Sequence, residues 1–520
     1  MRKSKKILLI NSNRFKQPWP VIPFGLCHIA AVSEKAGYEV KVLDLCFSRR
    51  PAKDIRKAIL TFKPDVVGIS IRNIDNGAGF NTQFLISDVR ENVVEPLKSI
   101  FKGPIVIGGP AVSINPVEIL HYLDLNYAIR GDGELSFVKF VDCITNNKIE
   151  EITTIKGLVI VKDKEVVANN DPWRVEDLNQ IPIVNPGRYI NLYYYRKFNS
   201  PIQIQTKRGC PLNCVYCTYN KIEGKCYRLK DPKKVVNEIE FLVKETKIDH
   251  VEFTDSTFNV PLNHCKEILR ELAKRNLKLR LRTMGLNPGA VDEELIELMK
   301  QAGFMNVDLG AESGCNITLK TLGKNFSKAE VIRAGKLLQK YNIPTTWYLL
   351  LGAPQESILT LQETFDTITK AASKWDLINI GIGIRVYNNA PISKKLKERT
   401  KDNFLSPVHY EPEHISLNEV KIYTKWMSLH NDNFFMYDED ENTPTFVLRI
   451  GTLIMSIFAR EKPIWKLFIV IRKIQRYTGF TFLRKILFWL KHRKTLKKLE
   501  RELIANKIKK QNSPSLATIH

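Results

Sequence analysis

The 520-residue sequence has no segment typical of export or membrane insertion. Behind the basic start "MRKSKK", the run "ILLIN" is too short for the hydrophobic part of a signal peptide and is predicted as a first strand. No stretch of 18 uncharged apolar residues occurs, which argues against a spanning helix. Repeats, collagen-like periodicity and low-complexity segments are also lacking. These absences predict a cytoplasmic protein of two or three globular domains.

Cysteine is scarce, with nine residues, and an odd, mostly scattered set does not favour a disulfide framework. The exception is "KRGCPLNCVYCTY" (207–219), which holds Cys210, Cys214 and Cys217. This C-x-x-x-C-x-x-C spacing is one thiolate short of the four that a closed zinc or iron–sulfur site takes. The alternatives are a zinc knuckle that lacks a ligand, three buried thiols, or a cluster with one open position. Cys226, nine residues further on, does not pair with the triplet by spacing.

Positive charge is concentrated in one segment rather than spread over the chain. Residues 445–510 contain 18 Lys and Arg against 3 Asp and Glu, so they carry +15 of the total +25. This location argues against a basic nucleic-acid groove elsewhere and against a nucleic-acid partner. Apolar residues beside basic ones are typical of an interfacial amphipathic helix, to which each cation near an anionic leaflet adds about 1 kcal/mol. We expect peripheral contact with the inner face of the membrane through 445–510, or packing of this segment on the rest of the chain.

The first 150 residues alternate apolar strands with helix-length segments, as a doubly wound, Rossmann-like parallel sheet does. The predicted strands are 6–11, 38–45, 65–71, 104–110 and 127–134. Ligands of such sheets bind beyond the carboxyl ends of the strands, where this chain places glycines and short polar loops. The alternative is a structural sheet without a ligand.

A connector with a short hairpin signal leads to a second β/α series. Its predicted strands begin at "IQIQTKRGC" and continue at 250–258, 278–284, 306–313, 345–354 and 377–387. Six β/α units predict a partial (β/α)6, TIM-like barrel. The predicted domains are 1–150, the connector 151–199, the barrel 200–390, and a basic helical extension 391–520.

The cysteine triplet directly follows the first strand of this series, where Gly209 and Pro211 help to set the turns of its loop. With Tyr216 before the last cysteine, it resembles the motif of the radical S-adenosylmethionine (SAM) superfamily. The resemblance implies that Cys210, Cys214 and Cys217 hold a [4Fe–4S] cluster whose open iron is chelated by SAM. An electron from a donor such as flavodoxin or ferredoxin then cleaves SAM to a 5′-deoxyadenosyl radical.

Other strand ends resemble the SAM-binding positions of this superfamily. The residues that the resemblance implies as SAM contacts are Thr254, Asp255, Ser256, Glu312, Ser313 and Gly352. The alternative for Asp255 and Glu312 is helix capping or pairing with Arg282. The remaining cysteines show no cluster spacing, so we predict no second cluster.

The first series resembles the cobalamin-binding domain that precedes many radical SAM modules, on "PFGLCHIAAVSEKAGYEVKVLD", "PDVVGISIRNID", "IVIGGPAVSINP" and "IRGDGELSF". Glycines would let a bulky corrin approach the strand ends. The D-x-H-x-x-G motif that supplies an axial histidine is absent, and His28 and His121 are interpreted as packing or surface residues. The resemblance therefore implies base-off cobalamin with the "SIRNIDN" loop on its lower side. The implied contacts are Ser70, Arg72, Asn73, Asp75, Gly108, Gly109, Gly131, Gly133 and Glu134.

Together these features predict a cobalamin-dependent radical SAM enzyme that methylates an unactivated carbon of a hydrophobic small molecule such as a lipid. An enzyme with the same cofactors that performs a cyclisation, rearrangement or other C–C bond formation is the first alternative. A non-catalytic cobalamin sensor or carrier docked to a membrane is an alternative of another class, against which the intact cysteine triplet argues.

Overall fold

The computed structural model describes residues 5–397, 403–436, 463 and 465–512. The chain divides by compactness into two units. The first comprises residues 1–77, 82–284 and 386–408, and the second comprises 78–81, 285–385 and 409–520. The division differs from the boundaries drawn from the sequence, which remain a prediction about domains.

The first unit contains a seven-stranded sheet with the strand order β2-β1-β3-β4-β5-β6-β7. The first five strands run parallel, while β6 and β7 form an antiparallel hairpin at one edge. The strands are β1 Lys6–Asn11, β2 Glu39–Asp44, β3 Val66–Ser70, β4 Ile105–Gly108, β5 Tyr127–Ile129, β6 Leu158–Lys162 and β7 Glu165–Asn169. The predicted doubly wound parallel sheet is confirmed.

Apolar runs form these strands because helices cover both faces of the sheet. On one face Leu8 and Ile10 pack with residues of α2, and on the other Ile7 and Leu9 pack with residues of α1 and α7. The helices around this sheet are α1 Phe24–Lys35, α2 Pro51–Phe62, α3 Leu85–Val89, α4 Glu95–Ile100, α5 Pro110–Ile114, α6 Pro116–Leu123 and α7 Gly133–Thr145, with a π-helical turn at Arg90–Val94. Because these helices cover both faces of the sheet, its strand ends are the places where a ligand can bind.

The first unit also holds the start of the second β/α series. Strands β8, β11 and β12 pair in parallel, and the short strands β9 and β10 pair antiparallel beside the cysteine loop. The elements are α8 Tyr193–Lys197, β8 Ile202–Ile204, β9 Lys207–Arg208, α9 Tyr219–Ile222, β10 Arg228–Leu229, α10 Pro232–Thr246, β11 His250–Phe253, α11 Leu262–Arg275 and β12 Arg280–Leu286. Short 3₁₀ turns lie at Ile149–Thr154, Leu178–Gln180, Pro186–Arg188 and Pro288–Ala290.

The second unit continues the series with parallel pairs between β13, β14, β15 and β18. Asp292 caps the helix predicted from "DEELIELMKQAGF" and accepts a hydrogen bond from the Leu295 N–H. The elements from here on are α12 Glu293–Ala302, β13 Phe304–Glu312, α13 Asn316–Thr321, α14 Lys328–Lys340, β14 Thr345–Leu351, α15 Ile358–Ala371, β15 Leu377–Ile382, β16 Ile384–Arg385, α16 Pro391–Lys397, β17 His409–Tyr410, α17 Leu417–His430 and β18 Phe434–Met436. All six predicted strands are present, and β18 is an addition.

Two helices, α18 Trp465–Tyr477 and α19 Phe480–Asn512, form the described part of the basic extension. The predicted membrane segment 445–510 lies partly outside the described residues, because 437–462 and 464 are not described. Helix α19 packs against α17 and α15, and Leu499 of α19 is buried. Among the described helices, none combines the length and the apolar character needed to cross a membrane.

Candidate functional site

The three cysteines lie on one loop that folds back onto residues 224–226. The Cys210 N–H donates to the Gly224 carbonyl at 2.9 Å, and the Cys217 N–H donates to the Cys214 carbonyl at 3.1 Å. Gly209 has φ +96°, and a Cβ there would lie 2.0 Å from the Cys226 carbonyl oxygen. Only glycine therefore permits this turn. Cys210 is buried, whereas Cys214 and Cys217 are half-buried.

Glu223 supports the cysteine loop through hydrogen bonds. Its carboxylate accepts hydrogen bonds from the Gly209 N–H at 3.1 Å and the Gln205 amide at 2.7 Å. Burial raises the pKa of Glu223 to about 7, although the Gly209 N–H and Arg208 oppose that rise. These two hydrogen bonds connect the Glu223 carboxyl group to the Gly209 backbone and the Gln205 side chain, which both lie shortly before Cys210.

An ionic network joins the cysteine loop to the edge of the first sheet within the same unit. Arg208 pairs with Glu134 at 2.9 Å and with Asp132 at 3.3 Å. Arg228 adds a second guanidinium on Asp132 at 2.6 Å. Glu134, predicted as a cobalamin contact, therefore has an arginine partner, and its role toward cobalamin stays a prediction.

The three thiols of the loop suit the ligand set of an iron–sulfur cluster. Among the described residues, no three His, Cys, Asp or Glu side chains converge as ligands of one ion. In a [4Fe–4S] cluster each thiolate binds a different iron. The three thiols therefore need to lie around the whole cluster and do not need to meet at one metal ion. Cys226 is exposed, as expected for a residue outside that set.

The residues after β11 that are predicted to contact SAM form hydrogen bonds and an ion pair with other residues of the protein. Asp255 accepts from the Thr206 N–H and hydroxyl, both at 2.8 Å, and pairs with the fully buried Lys207 at 3.5 Å. Thr254 donates its N–H to the Ile204 carbonyl at 2.9 Å. Ser256 donates to the Gly209 carbonyl at 3.2 Å, so these residues hold the start of the cysteine loop.

The predicted contacts of the second unit lie at the ends of β13 and β14. Glu312 has φ +58° and pairs with Lys324 at 3.1 Å. Ser313 is fully buried against the Thr364 hydroxyl at 2.8 Å. At Gly352 a Cβ would lie 2.6 Å from the Leu417 side chain. Arg282 pairs with Glu252 at 3.0 Å, and the alternative pairing of Asp255 or Glu312 with Arg282 stays a prediction.

The loop after β3 carries the predicted lower-side contacts of cobalamin. Arg72 is solvent exposed, yet surrounding protein lowers the pKa of its guanidinium, while Tyr219 and Glu252 oppose that shift. Asp75 is buried and accepts from the Tyr387 hydroxyl at 2.9 Å, and Ser70 and Asn73 are half-buried.

The four glycines that are predicted to contact cobalamin differ in what an added Cβ atom would meet. At Gly109, with φ +107°, a Cβ would lie 2.5 Å from the Ile71 carbonyl oxygen, so the backbone itself requires glycine. At Gly108 the nearest atom, the Ile129 carbonyl oxygen, would lie 3.6 Å away, which is an ordinary contact. At Gly131 the Pro172 and Arg174 side chains would be met at 2.7 Å, and at Gly133 the Ile29 side chain at 3.1 Å. Only Gly108 therefore has room that the protein does not use.

A cavity of about 550 Å³ opens at the carboxyl side of β4 and β5 in the first unit. Its wall is polar and includes Ser113, Arg130, Asp171, Arg174, Lys221 and Asn388. This is the edge at which parallel sheets bind ligands.

Sequence reasoning missed a row of polar side chains on one face of β8, β11 and β12. Gln203, Glu252 and Arg282 are neighbours in the strand register, and the Trp19 ring covers the Arg282 guanidinium at 4.4 Å. Both polar atoms of the Gln203 amide are buried without a hydrogen-bond partner among the described residues. The signal in the sequence is the period-two placement of polar residues in "HVEF" and "RLRT".

Comparisons with known proteins bear on both β/α series. The pattern of the B12 binding domain matches residues 16–141, and that of the radical SAM superfamily matches residues 204–368. TsrM, a radical SAM methyltransferase from Kitasatospora setae solved with cobalamin and a [4Fe–4S] cluster bound, superposes with a TM-score of 0.70 at 26% identity. That similarity covers 76% of this chain and 78% of TsrM.

Two sequence relatives carry different activities in their names. An uncharacterized methyltransferase of Pyrococcus horikoshii is 26% identical over 68% of this chain and 74% of its own length. The anaerobic magnesium-protoporphyrin IX monomethyl ester cyclase of Rubrivivax gelatinosus is 27% identical over 75% of this chain and 70% of its own length.

The fold and the matched patterns define the class: the chain is a radical SAM enzyme with a cobalamin-binding domain, and the proteins that it resembles include cobalamin-dependent methyltransferases. Its cofactors are a [4Fe–4S] cluster, SAM and cobalamin. The predicted recognition, fold class and cofactors are thereby confirmed, and the comparisons do not support the non-catalytic, membrane-docked sensor. The roles of the individual site residues remain predictions.

Proposed function

We propose that this enzyme methylates an unactivated carbon of its substrate. The supporting observation is the similarity to TsrM, which spans 76% of this chain and so extends beyond either β/α series alone. When bound, the cluster and SAM supply a radical that removes hydrogen from carbon, and cobalamin supplies the methyl group. Because such cofactors carry the difficult chemistry, the chain's own residues bind, orient and exclude water.

The proposed division of labour assigns the cluster to Cys210, Cys214 and Cys217. The link of Arg208 to Asp132 and Glu134 ties their loop to the ligand-binding edge of the first sheet. Both cofactors then have a common support within one compact unit. A fixed separation between them is what a reaction of two cofactors at one carbon requires.

Arg72 is the proposed contact on the lower side of cobalamin, in place of an axial histidine. Its exposed, partly desolvated guanidinium supports this assignment. A permanent cation does not coordinate cobalt, so Arg72 would keep that side free of a protein ligand. His28 lies inside helix α1 and not on the loop after β3, so it is not assigned to this side of cobalamin.

The proposed substrate is a hydrophobic small molecule that carries one polar group. The polar group is assigned to Gln203, whose unpartnered amide offers one donor and one acceptor side. A buried amide left unpaired costs about 1–3 kcal/mol, which a substrate hydrogen bond would recover.

Peripheral membrane contact at the cytoplasmic side belongs to the same proposal. In α18 and α19 apolar side chains are exposed between basic ones, with Tyr477 at 91%, Phe482 at 67% and Leu487 at 57% exposure. An interfacial helix has this composition. A flavodoxin or ferredoxin is the proposed electron donor, as the cluster chemistry requires a low-potential source.

Cyclisation without methyl transfer is the second candidate. The similarity to the magnesium-protoporphyrin ester cyclase, at 27% identity over 75% of this chain, favours it. The two candidates share all three cofactors and differ in the fate of the SAM methyl group.

The test begins with anaerobic reconstitution of the full chain with iron, sulfide and cobalamin. We expect about four irons and one cobalt per chain, and 5′-deoxyadenosine on reduction with SAM. The triple variant Cys210→Ala/Cys214→Ala/Cys217→Ala should lose the iron and the SAM cleavage and keep the cobalt. Cys226→Ala, which changes an exposed neighbouring thiol, is the matched control and should retain all activities.

Methyl transfer is then read from SAM with a trideuterated methyl group in an anaerobic cell extract. A product heavier by the labelled methyl group supports the methyltransferase, whereas unlabelled product formed with SAM cleavage supports the cyclase. Iron without cobalt would rule out methyl transfer through cobalamin.

A further inference from the structure

Tyr227 stands beside the cysteine loop because of the pairing of β9 with β10. Arg228 lies opposite Arg208 and Leu229 opposite Lys207 in an antiparallel register. The next step of that register places Tyr227 opposite Gly209, directly before Cys210. The Cys210 N–H donates a hydrogen bond to the Gly224 carbonyl at 2.9 Å, so the same two segments are also joined beyond the paired strands.

The Tyr227 hydroxyl is buried and has no hydrogen-bond partner among the described residues. Burial raises its pKa, and Cys210 raises it further as a neighbouring charge and acceptor, with Cys214 as a weaker neighbour. The register of β9 and β10 places Tyr227 beside Gly209, directly before Cys210, and its hydroxyl is not satisfied by another described residue. A buried hydroxyl without an acceptor costs free energy, and native structures normally explain such a group by a ligand or water.

We propose that the Tyr227 hydroxyl donates a hydrogen bond to the cluster at Cys210, either to the thiolate or to the adjacent cluster sulfide. Such bonds stabilise the more negative, one-electron-reduced cluster and therefore raise its reduction potential. Tyr227 is a positioning residue that makes the cluster easier to reduce by its low-potential electron donor. No bond is formed or broken, and the only change is one electron taken up from the donor.

The experiment compares the reconstituted full-length protein with Tyr227→Phe, which removes the hydroxyl and keeps the ring. An EPR-monitored redox titration should give a lower midpoint for Tyr227→Phe. We expect a roughly tenfold lower ratio of reduced to oxidised cluster at equal potential, which is about 59 mV for a one-electron couple. Tyr189→Phe is the matched control, because the Tyr189 hydroxyl donates to Glu34 at 2.8 Å, and its midpoint should equal that of the wild type.

An unchanged midpoint in Tyr227→Phe with about four irons bound would overturn the proposal, and so would an equal shift in Tyr189→Phe. A second measurement covers a variant that fails to load. In D₂O the wild-type reduced cluster should show an exchangeable deuteron coupled to it, and its absence would also overturn the proposal. Failure of cluster formation in the wild type would instead contradict the radical SAM function itself, so the two failures are distinguishable.

Discussion

Three central strands of the first series and two strands of the second bury their residues in different patterns. In β1, β3 and β4 of the first series nearly every residue is buried, whichever face it points to. In β15 of the second series buried and half-buried residues alternate without exception, and β12 follows nearly the same pattern. A sheet covered on both faces can bind a ligand only at its strand ends, whereas a sheet with one open face can also bind along that face.

This difference explains where the polar side chains occur. The first sheet keeps its polar residues in loops, such as Arg72 after β3 and Asp132 after β5. The second series carries Gln203, Glu252 and Arg282 within its strands. We therefore expect substitutions at the edge of the first sheet to affect cofactor loading, and substitutions within the second series to affect stability and substrate together.

The largest effect is expected where a strand-end carboxylate of the second series neutralises a buried cation. Asp255→Ala leaves the fully buried Lys207 without its carboxylate partner among the described residues and with the Phe258 carbonyl alone, and removing one member of a buried ion pair costs about 3–5 kcal/mol. Urea unfolding of the apoprotein measures this loss. Asp255→Asn, which keeps the acceptor and the shape, should lose less, and an equally small loss in both variants would contradict a structural role for the charge.

A pH-dependent loss of stability is expected from Asp376, just before β15. Burial raises its pKa to about 6, although the Ser373 and Thr345 N–H groups and the Trp347 indole oppose that rise by donating to it. The folded state therefore holds this proton to higher pH than the unfolded state, and stability falls as pH rises from 4 to 6. The difference amounts to roughly 3 kcal/mol. Asp376→Asn should flatten the unfolding free energy between pH 4 and 6, and an unchanged slope would contradict the assignment.

The edge of the first sheet offers a matched pair of glycines. Gly109→Ala forces a Cβ to 2.5 Å from the Ile71 carbonyl at φ +107°, so we expect a loss of about 1–3 kcal/mol in thermal or urea unfolding. Gly108→Ala meets only an ordinary contact at 3.6 Å and should leave the fold unchanged. If the corrin needs the space at Gly108, that variant alone folds normally and loses cobalt. Full cobalt in a folded Gly108→Ala protein would remove Gly108 from the site.

The smallest expected effect is a gain. Gln203→Leu removes two buried polar atoms that have no partner among the described residues, so the apoprotein should gain about 1 kcal/mol and lose substrate turnover. Gln205→Leu is the matched control on the same segment. Its amide bonds Glu223 at 2.7 Å and Arg208 at 3.0 Å, so this change should destabilise the apoprotein. Equal destabilisation by both changes would show that the Gln203 amide has an internal partner.

Much of the fold follows from local patterns. Apolar runs of five or six residues and the glycine-rich turns predict the strands of the first sheet, and the six strands of the second series are found where alternation places them. Strand β18 was missed, because three residues, Phe434–Met436, are too few to give a pattern. The short pair β9 and β10 was missed for the same reason.

The candidate site also has some features that the sequence predicts and others that it does not. The cluster and SAM are implied by the resemblance of the motif around Cys210, Cys214 and Cys217 to that of the radical SAM superfamily, since a motif of three thiolates within eight residues is a local property. The partners of Asp255 and Glu134 could not be predicted, because Lys207 and Arg208 are distant from them in the chain. Residue type indicated that these carboxylates matter, but it did not indicate what they bind.

The sequence by itself determined the two β/α series, the cysteine loop and the cofactors, because hydrophobic period and motif spacing are set by neighbouring residues. Only the tertiary structure decided which polar groups the protein satisfies internally and which have no partner among the described residues. Asp255 and Glu134 belong to the first kind, and Gln203 and Tyr227 to the second. The reason is physical: a hydrogen bond or ion pair depends on the distance between two groups in space, and that distance is fixed only when strands far apart in sequence are brought into register.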